Sequence, residues 1–195
     1  LGFLPGDAAC KASAKLLMKK RQGMSEGFID ELRNALDTGA VLSGGDIDAR
    51  YHHDLAGNPV PKPRAVVRPR TTEDVSASLR LCHREGVPVT TQDGMTGLVR
   101  GALPNANEIV LSMERMNSVE EVDASAGVAI AQAGTPLQKL QERVEQDGLM
   151  FPLDLGARGS CTIGGNISTN AGGNHVIRYG MTRDLVLGLE VVTAD

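Results

Sequence analysis

Two stretches of this chain carry residue types suited to binding an anion. The first, TTQDGMTGLVRGALP, runs from Thr90 to Pro104. It reads as a glycine loop that lets a phosphate approach the backbone. Asp93 and Arg100 interrupt it with full charges. The second, GSCTIGGNISTNAGGNHVIRYG, runs from Gly159 to Gly180. Nearly every side chain in it is absent, small or a short hydrogen-bonding group. Such a segment is expected to build no core of its own and to form a long ordered loop without elements. It can lay bare N–H groups and small hydroxyls against an extended polar ligand. Ile163, Ile167, Val176, Ile177 and Tyr179 would anchor it, which a flexible linker would lack.

Acid–base chemistry is harder to place. The histidines are His52, His53, His83 and His175. His83 falls on a predicted helix and His52 and His53 in a polar loop. His175 lies beside the second glycine stretch, but no carboxylate close to it in sequence would orient it as a base. No catalytic residue is assigned. Cys10, Cys82 and Cys161 show neither a CxxC motif nor a metal spacing, so no metal site is expected, and a reducing compartment is the simplest reading.

The elements that would position these stretches follow from pattern. SEGFIDELRNAL reads as a helix capped by Ser25, with Phe28, Ile29, Leu32 and Leu36 on one face. A polar connector from Ser43 to Pro63 follows it. RAVVRP reads as a buried strand stopped by Pro69. Thr71 or Thr72 caps a helix with Glu73 and Asp74 in its first turn and Gly86 at its end. Val75, Leu79 and Cys82 share a face of that helix. VPVTT and EIVLSM are strands on either side of the first glycine loop. VEEVD and VAIAQAG form a hairpin around Ala124–Gly127. Thr135 and Pro136 open a second helix with Leu137, Leu140 and Val144 buried and Gly148 closing it. LVLGLEVVTAD reads as a final strand.

The order strand, helix, strand, glycine loop resembles a nucleotide-binding unit. A dinucleotide fingerprint, however, needs a helix after the loop, because the helix N-terminus holds the pyrophosphate. Here a strand follows, so that reading fails.

Bulk composition excludes other classes. The net charge is −4, too acidic for a nucleic-acid footprint. Aromatics are 3%, with no Trp, which leaves no base-stacking platform. No apolar run approaches the roughly 20 residues of a membrane span. Residues 1–24 are basic between Asp7 and Glu26 and read as a leader or appended remnant, alternatively as the tail of an organellar transit peptide. The expected location is the cytoplasm, alternatively the mitochondrial matrix.

Taken together, RAVVRPRTTEDV, DGMTGLVRGA, LSMERMN, QAG, FPLDLGARGSCTIGGNISTNAGGNHVIRYG and LVLGLEVV resemble the FAD-linked oxidases of the vanillyl-alcohol oxidase/PCMH type. The branch they resemble is that of the D-2-hydroxyacid dehydrogenases, which act on D-lactate, D-2-hydroxyglutarate or glycolate. The resemblance covers roughly residues 50–195. It implies an α+β fold of two α/β subdomains with FAD between them, and a first glycine loop that does lead into a strand. It divides the chain into a leader (1–24), an N-terminal helix and connector (25–60) and an FAD-binding domain (61–195). By resemblance, Gln92, Asp93, Gly94, Met95, Thr96, Gly97 and Leu98 would hold the pyrophosphate. Gly134, Pro152, Asp154 and Ser160 would line the same cofactor. Gly164, Gly165, Asn166, Ser168, Thr169, Gly172 and Gly173 would wrap the ribityl and isoalloxazine portion, with Val191 near the adenine or ribityl side. The implied chemistry is oxidation of a D-2-hydroxy acid by hydride transfer to flavin N5.

Two departures from the family qualify this. The family's domain continues past the VVTAD stretch, and a cap domain then supplies most of the substrate pocket, so the FAD domain is expected to be incomplete here. The family also has glycine at positions 93 and 100. A carboxylate facing the pyrophosphate would oppose binding by about one to a few kcal/mol, which Arg100 could offset; alternatively both side chains face solvent. The alternatives to an FAD-binding portion of such an enzyme are a non-catalytic remnant or interaction module and a flavin subunit completed by a separate cap-bearing chain; the partners expected are a small-molecule 2-hydroxy acid and either a second copy in a homo-oligomer or that complementing chain.

Overall fold

The computed structural model describes residues 27–53 and 55–195. The leader at 1–24 and the cap at Ser25 lie outside the described residues. Helix α1 spans 27–35 and buries Phe28, Ile29 and Leu32, the apolar face that its spacing predicts.

A four-stranded sheet follows, in the order β1 (Val41–Ser43), β2 (Ala65–Val67), β4 (Ile109–Ser112), β3 (Val89–Gln92). β1 runs antiparallel to β2, and β2, β4 and β3 are mutually parallel. Strand alternation divides the side chains between two cores. Ala65, Val67, Ile109 and Leu111 face α1 and α2 (Thr72–Arg84), while Val66 and Val110 face Ile47 and Tyr51 on the opposite side. The connector is therefore not featureless. It holds two 3-10 turns, Gly44–Asp46 and Ala49–His52, and Tyr51 plugs the second core.

α2 is capped as expected: the Thr71 hydroxyl accepts from the Asp74 N–H at 3.2 Å, and Gly86 ends the helix at φ 62°. The hairpin forms from β5 (Val119–Asp123) and β6 (Val128–Ala131). α3 (Leu137–Glu145) buries Leu137, Leu140 and Val144. A smaller core of Leu137, Leu153 and Cys161 joins α3 to α4 (Ile163–Ser168). α5 (Val176–Tyr179) follows.

Three expectations are corrected. Thr135 does not cap α3; its hydroxyl donates to the Ser118 carbonyl at 3.0 Å, a tertiary contact that takes the oxygen away from the helix. Pro136 occupies the N-cap position instead. The second glycine stretch is not a loop without elements, because α4 and α5 lie within it. The apolar segment after Asp184 does not form a strand. No strand edge among the described residues pairs with it, and Leu187 and Val191 stand 81% and 72% exposed. It is tethered by Val192 on the main core and by the Thr72 hydroxyl, which donates to Glu190 at 2.9 Å.

Candidate FAD-binding site

The three parallel strands end on one edge of the sheet, where connecting loops are placed to meet a ligand. Gln92 closes β3 there, 2% exposed, and its Nε2 donates to the carbonyls of Tyr51 and Ala102, both at 2.8 Å. This pins both ends of the 93–101 loop. Between those ends the loop stands open. Among the described residues, the backbone N–H groups of Met95, Thr96, Gly97, Leu98 and Val99 donate to no backbone carbonyl. A Cβ added at Gly97 would meet nothing within 4 Å, and Leu98 is 83% exposed. A run of unengaged donors beside an open glycine is the arrangement a pyrophosphate needs.

The strain in this loop lies elsewhere than the sequence suggests. Met95 and Arg100 adopt positive φ, 55° and 62°, and Asp93 does not. The Asp93 side chain faces neither an open phosphate cradle nor solvent. It turns toward the first turn of α4, where its Oδ2 would lie 3.1 Å from a Cβ added to Gly164. Burial pushes its carboxyl up to about 6, while the Thr162 hydroxyl and the Gly165 N–H pull the other way. Even so, Asp93 Oδ1 and Thr162 Oγ1 are both cut off from solvent without a hydrogen bond of ordinary geometry.

Several of the glycines serve chain packing. Gly94 runs against the Ser160 carbonyl, Gly134 against that of Met113, and Gly173 against that of Asp154. The structure thus brings Asp93 and Gly94, at the start of the 92–98 stretch, together with Ser160 and Gly164–Gly165. It forms a second group from Pro152, Asp154 and Gly173. There, Asn174 donates to Asp154 at 2.8 Å, and His175 Nδ1 sits 3.2 Å from the Pro152 carbonyl. Gly172 packs against Met181.

Small side chains in α4 are already engaged. Ser168 and Thr169 donate back to the carbonyls of Gly164 and Gly165, at 2.7 and 2.9 Å. Asn166 is buried and donates to Cys161 Sγ at 3.6 Å. Val191 is not brought to the glycine loop. It lines an apolar cleft of about 1180 Å³ with Val75, Met113, Phe151 and one side of α4, and none of residues 92–98 lines that cleft. The open N–H groups of the 95–99 loop, which lie outside that cleft, are the candidate anion site.

Sequence reasoning missed a polar cluster on the same sheet edge. Glu114 accepts from the Tyr51 hydroxyl at 2.9 Å, and pairs with Arg50 at 3.0 Å and Arg68 at 3.4 Å. The RP and ER dipeptides that supply it carry no spacing signal. Among the described residues, no group of three or more His, Cys, Asp or Glu could hold a metal ion. No described helix is long and apolar enough to cross a membrane.

Comparison with known proteins agrees with this geometry. A family model described as an FAD binding domain matches residues 63–195, which include both glycine stretches. The chain belongs to this family of FAD-binding domains. It is 51% identical over 132 residues to the mitochondrial D-2-hydroxyglutarate dehydrogenase of Bos taurus, covering 68% of this chain and 24% of the relative. It is 40% identical over 166 residues to the D-2-hydroxyglutarate dehydrogenase of Stutzerimonas stutzeri (strain A1501), covering 85% of this chain and 36% of the relative. The chain thus spans about a quarter to a third of the length of the curated relatives it matches. Alkyldihydroxyacetonephosphate synthase superposes with a TM-score of 0.75 at 21% identity, over 83% of this chain and 32% of that one. p-Cresol methylhydroxylase superposes with a TM-score of 0.65 at 21% identity, over 77% and 30%. The fold is that of the PCMH-type FAD domains, and FAD is the cofactor of the family. The residues present fit it, since among the described residues the N–H groups of the 95–99 loop donate to no backbone carbonyl and Gly97 leaves room for the approach.

Proposed function

We propose that residues 61–195 are the FAD-binding portion of a flavin-dependent dehydrogenase that oxidises a D-2-hydroxy acid of the 2-hydroxyglutarate class. The observation that carries this reading is the family match across 63–195, together with the open N–H run at Met95–Val99. In this reading those N–H groups hold the pyrophosphate, and Gly97 allows the approach. Gly164 and Gly165, with the backbone around Gly172 and Gly173, flank the rest of the cofactor. Gln92 acts indirectly by fixing the ends of the loop. FAD, when bound, supplies the hydride acceptor. The substrate pocket and the catalytic base belong to a cap domain outside these residues, and the protein works in the cytoplasm or, as the bovine relative's name has it, in mitochondria.

The test is a titration of the purified chain with FAD, followed by quenching of flavin fluorescence and by thermal unfolding. Saturable quenching with a rise in Tm is expected, because a ligand that binds only the folded state stabilises it. Absence of both at millimolar FAD would overturn the reading. Dye-linked oxidation of D-2-hydroxyglutarate by the FAD-loaded whole protein tests the substrate class.

A further inference from the structure

The seam between the two glycine segments holds a charged group that neither segment needs for packing. Asp93 leaves the end of β3 and turns its carboxyl onto the first turn of α4, against Gly164, Thr162 and Gly165. Gly94 beside it is in backbone contact with Ser160 and Cys161, which fixes the backbone next to the one that carries the carboxyl. Its Oδ1 and the Thr162 Oγ1 are buried without a partner, and Thr162 is 6% exposed. One proton on the carboxyl would let it donate to such an acceptor. An ionised carboxylate can still accept from the Thr162 hydroxyl and the Gly165 N–H, but it puts a negative charge in the buried seam at the start of the loop that carries the N–H run of residues 95–99.

We propose that Asp93 is a positioning residue that makes cofactor capture proton-linked: the chain takes up FAD with Asp93 protonated and releases it as Asp93 ionises. The inference rests on the reading that the 95–99 loop holds the pyrophosphate. The anion brought to that loop and the Asp93 carboxylate repel one another, so the bound state favours the protonated acid. Among the described residues, the groups that act on the Asp93 carboxyl are hydrogen-bond donors and not other titrating carboxylates or imidazoles. α4 presents the Thr162 hydroxyl and the Gly165 N–H, the neighbouring turn presents the Cys161 thiol, and the segment before α3 presents Ala133. Burial raises the Cys161 thiol, which stays neutral wherever Asp93 titrates. The burial that raises Asp93 itself places the change near neutrality.

The experiment measures the Kd for FAD by fluorescence quenching from pH 5 to pH 8, in the unmodified chain, Asp93→Asn and Asp93→Gly. FAD keeps the same pyrophosphate charge throughout this range. The unmodified chain should bind on the order of tenfold more weakly at pH 8 than at pH 5, the size of a single like-charge repulsion in a partly solvated seam. Both variants should lose that slope and bind at pH 8 as the unmodified chain does at pH 5. The glycine variant keeps the test available if asparagine disturbs folding. Parallel pH profiles in all three proteins would overturn the role of Asp93 while leaving FAD binding intact. No binding at any pH in any of them would overturn the reading of the loop itself.

Discussion

The backbone of Gly94 lies so close to Ser160 that a Cβ on Gly94 would stand 2.1 Å from the Ser160 carbonyl oxygen and 2.9 Å from the Cys161 Cα. Both obstacles are backbone, which cannot swing aside as a side chain can. Gly94→Ala should therefore destabilise the chain by about 1–3 kcal/mol, as overpacking does. Gly97→Ala meets nothing within 4 Å and should change stability by less than about 0.5 kcal/mol. Its methyl group sits where the phosphate must approach, so FAD affinity should fall. Urea denaturation beside an FAD titration separates the two glycines. Equal losses of stability would show that openness at Gly97 has been misjudged.

Asp93 also sets a direction for stability without cofactor. Its carboxyl is raised from 3.8 to about 6 in the folded chain, so the folded state binds more protons than the unfolded one between those values. Stability then falls as pH rises through that window, and the loss is fully present above about pH 6. Asp93→Asn should remove up to about 3 kcal/mol of that penalty at pH 8 and none of it at pH 3.5, taking 1.36 kcal/mol per pH unit. Denaturation midpoints of the two proteins at both pH values check the sign. A variant less stable at pH 8 would mean that Thr162 and Gly165 outweigh burial.

Arg100 holds φ at 62° in a loop where the family resemblance expects glycine. A left-handed conformation costs an L-residue about 1–2 kcal/mol, whereas glycine gives up about 0.5–1 kcal/mol in chain entropy. Arg100→Gly should thus raise stability by a few tenths to about 1 kcal/mol, as read from the midpoint of urea unfolding. A loss of more than about 1 kcal/mol would show that the contacts of the guanidinium outweigh the strain.

The parts of the fold legible from sequence are those where local signals agree. Thr71, Glu73 and Gly86 bracket α2, and the alternation of Val119–Asp123 with Val128–Ala131 announces the hairpin. The parts that were not legible depend on distant neighbours. Gly164 and Gly165 read as loop residues because glycine disfavours a helix by about 1 kcal/mol. They lie in α4 nonetheless, and a Cβ on Gly164 would meet Ala133 Cβ at 2.8 Å. Gly134 needs its missing side chain for a reason the sequence does not carry, since a Cβ there would meet the Met113 carbonyl. Val191 sits in a segment whose apolar pattern announces a strand, yet a ladder also requires an edge to pair with. At the candidate site, the glycine run of the 93–101 loop is legible in the sequence. The direction of Asp93 was not, because only the position of α4 shows where a carboxyl in that loop can turn.

The Glu114 cluster gives the last test, since it ties the connector to the ends of β2 and β4. Glu114 receives the Tyr51 hydroxyl, Arg50 and Arg68, while Arg68 also donates to the Gly39 carbonyl at 2.5 Å and leaves its Nε buried without a partner. Glu114→Gln keeps the shape but removes the charge that holds two guanidiniums, and should cost about 1–3 kcal/mol of stability. Burial first, and then the hydrogen bond to Glu114, raise the Tyr51 phenol above its usual value. The same substitution should therefore let Tyr51 ionise at lower pH, visible as an earlier tyrosinate band in an ultraviolet titration. Tyr51 plugs the core on the Val66–Val110 face of the sheet, and its carbonyl holds Gln92. Loosening it should also reach the 93–101 loop, as faster amide hydrogen exchange from Gln92 to Leu103. Unchanged exchange there would confine the cluster to the connector and separate it from the cofactor site.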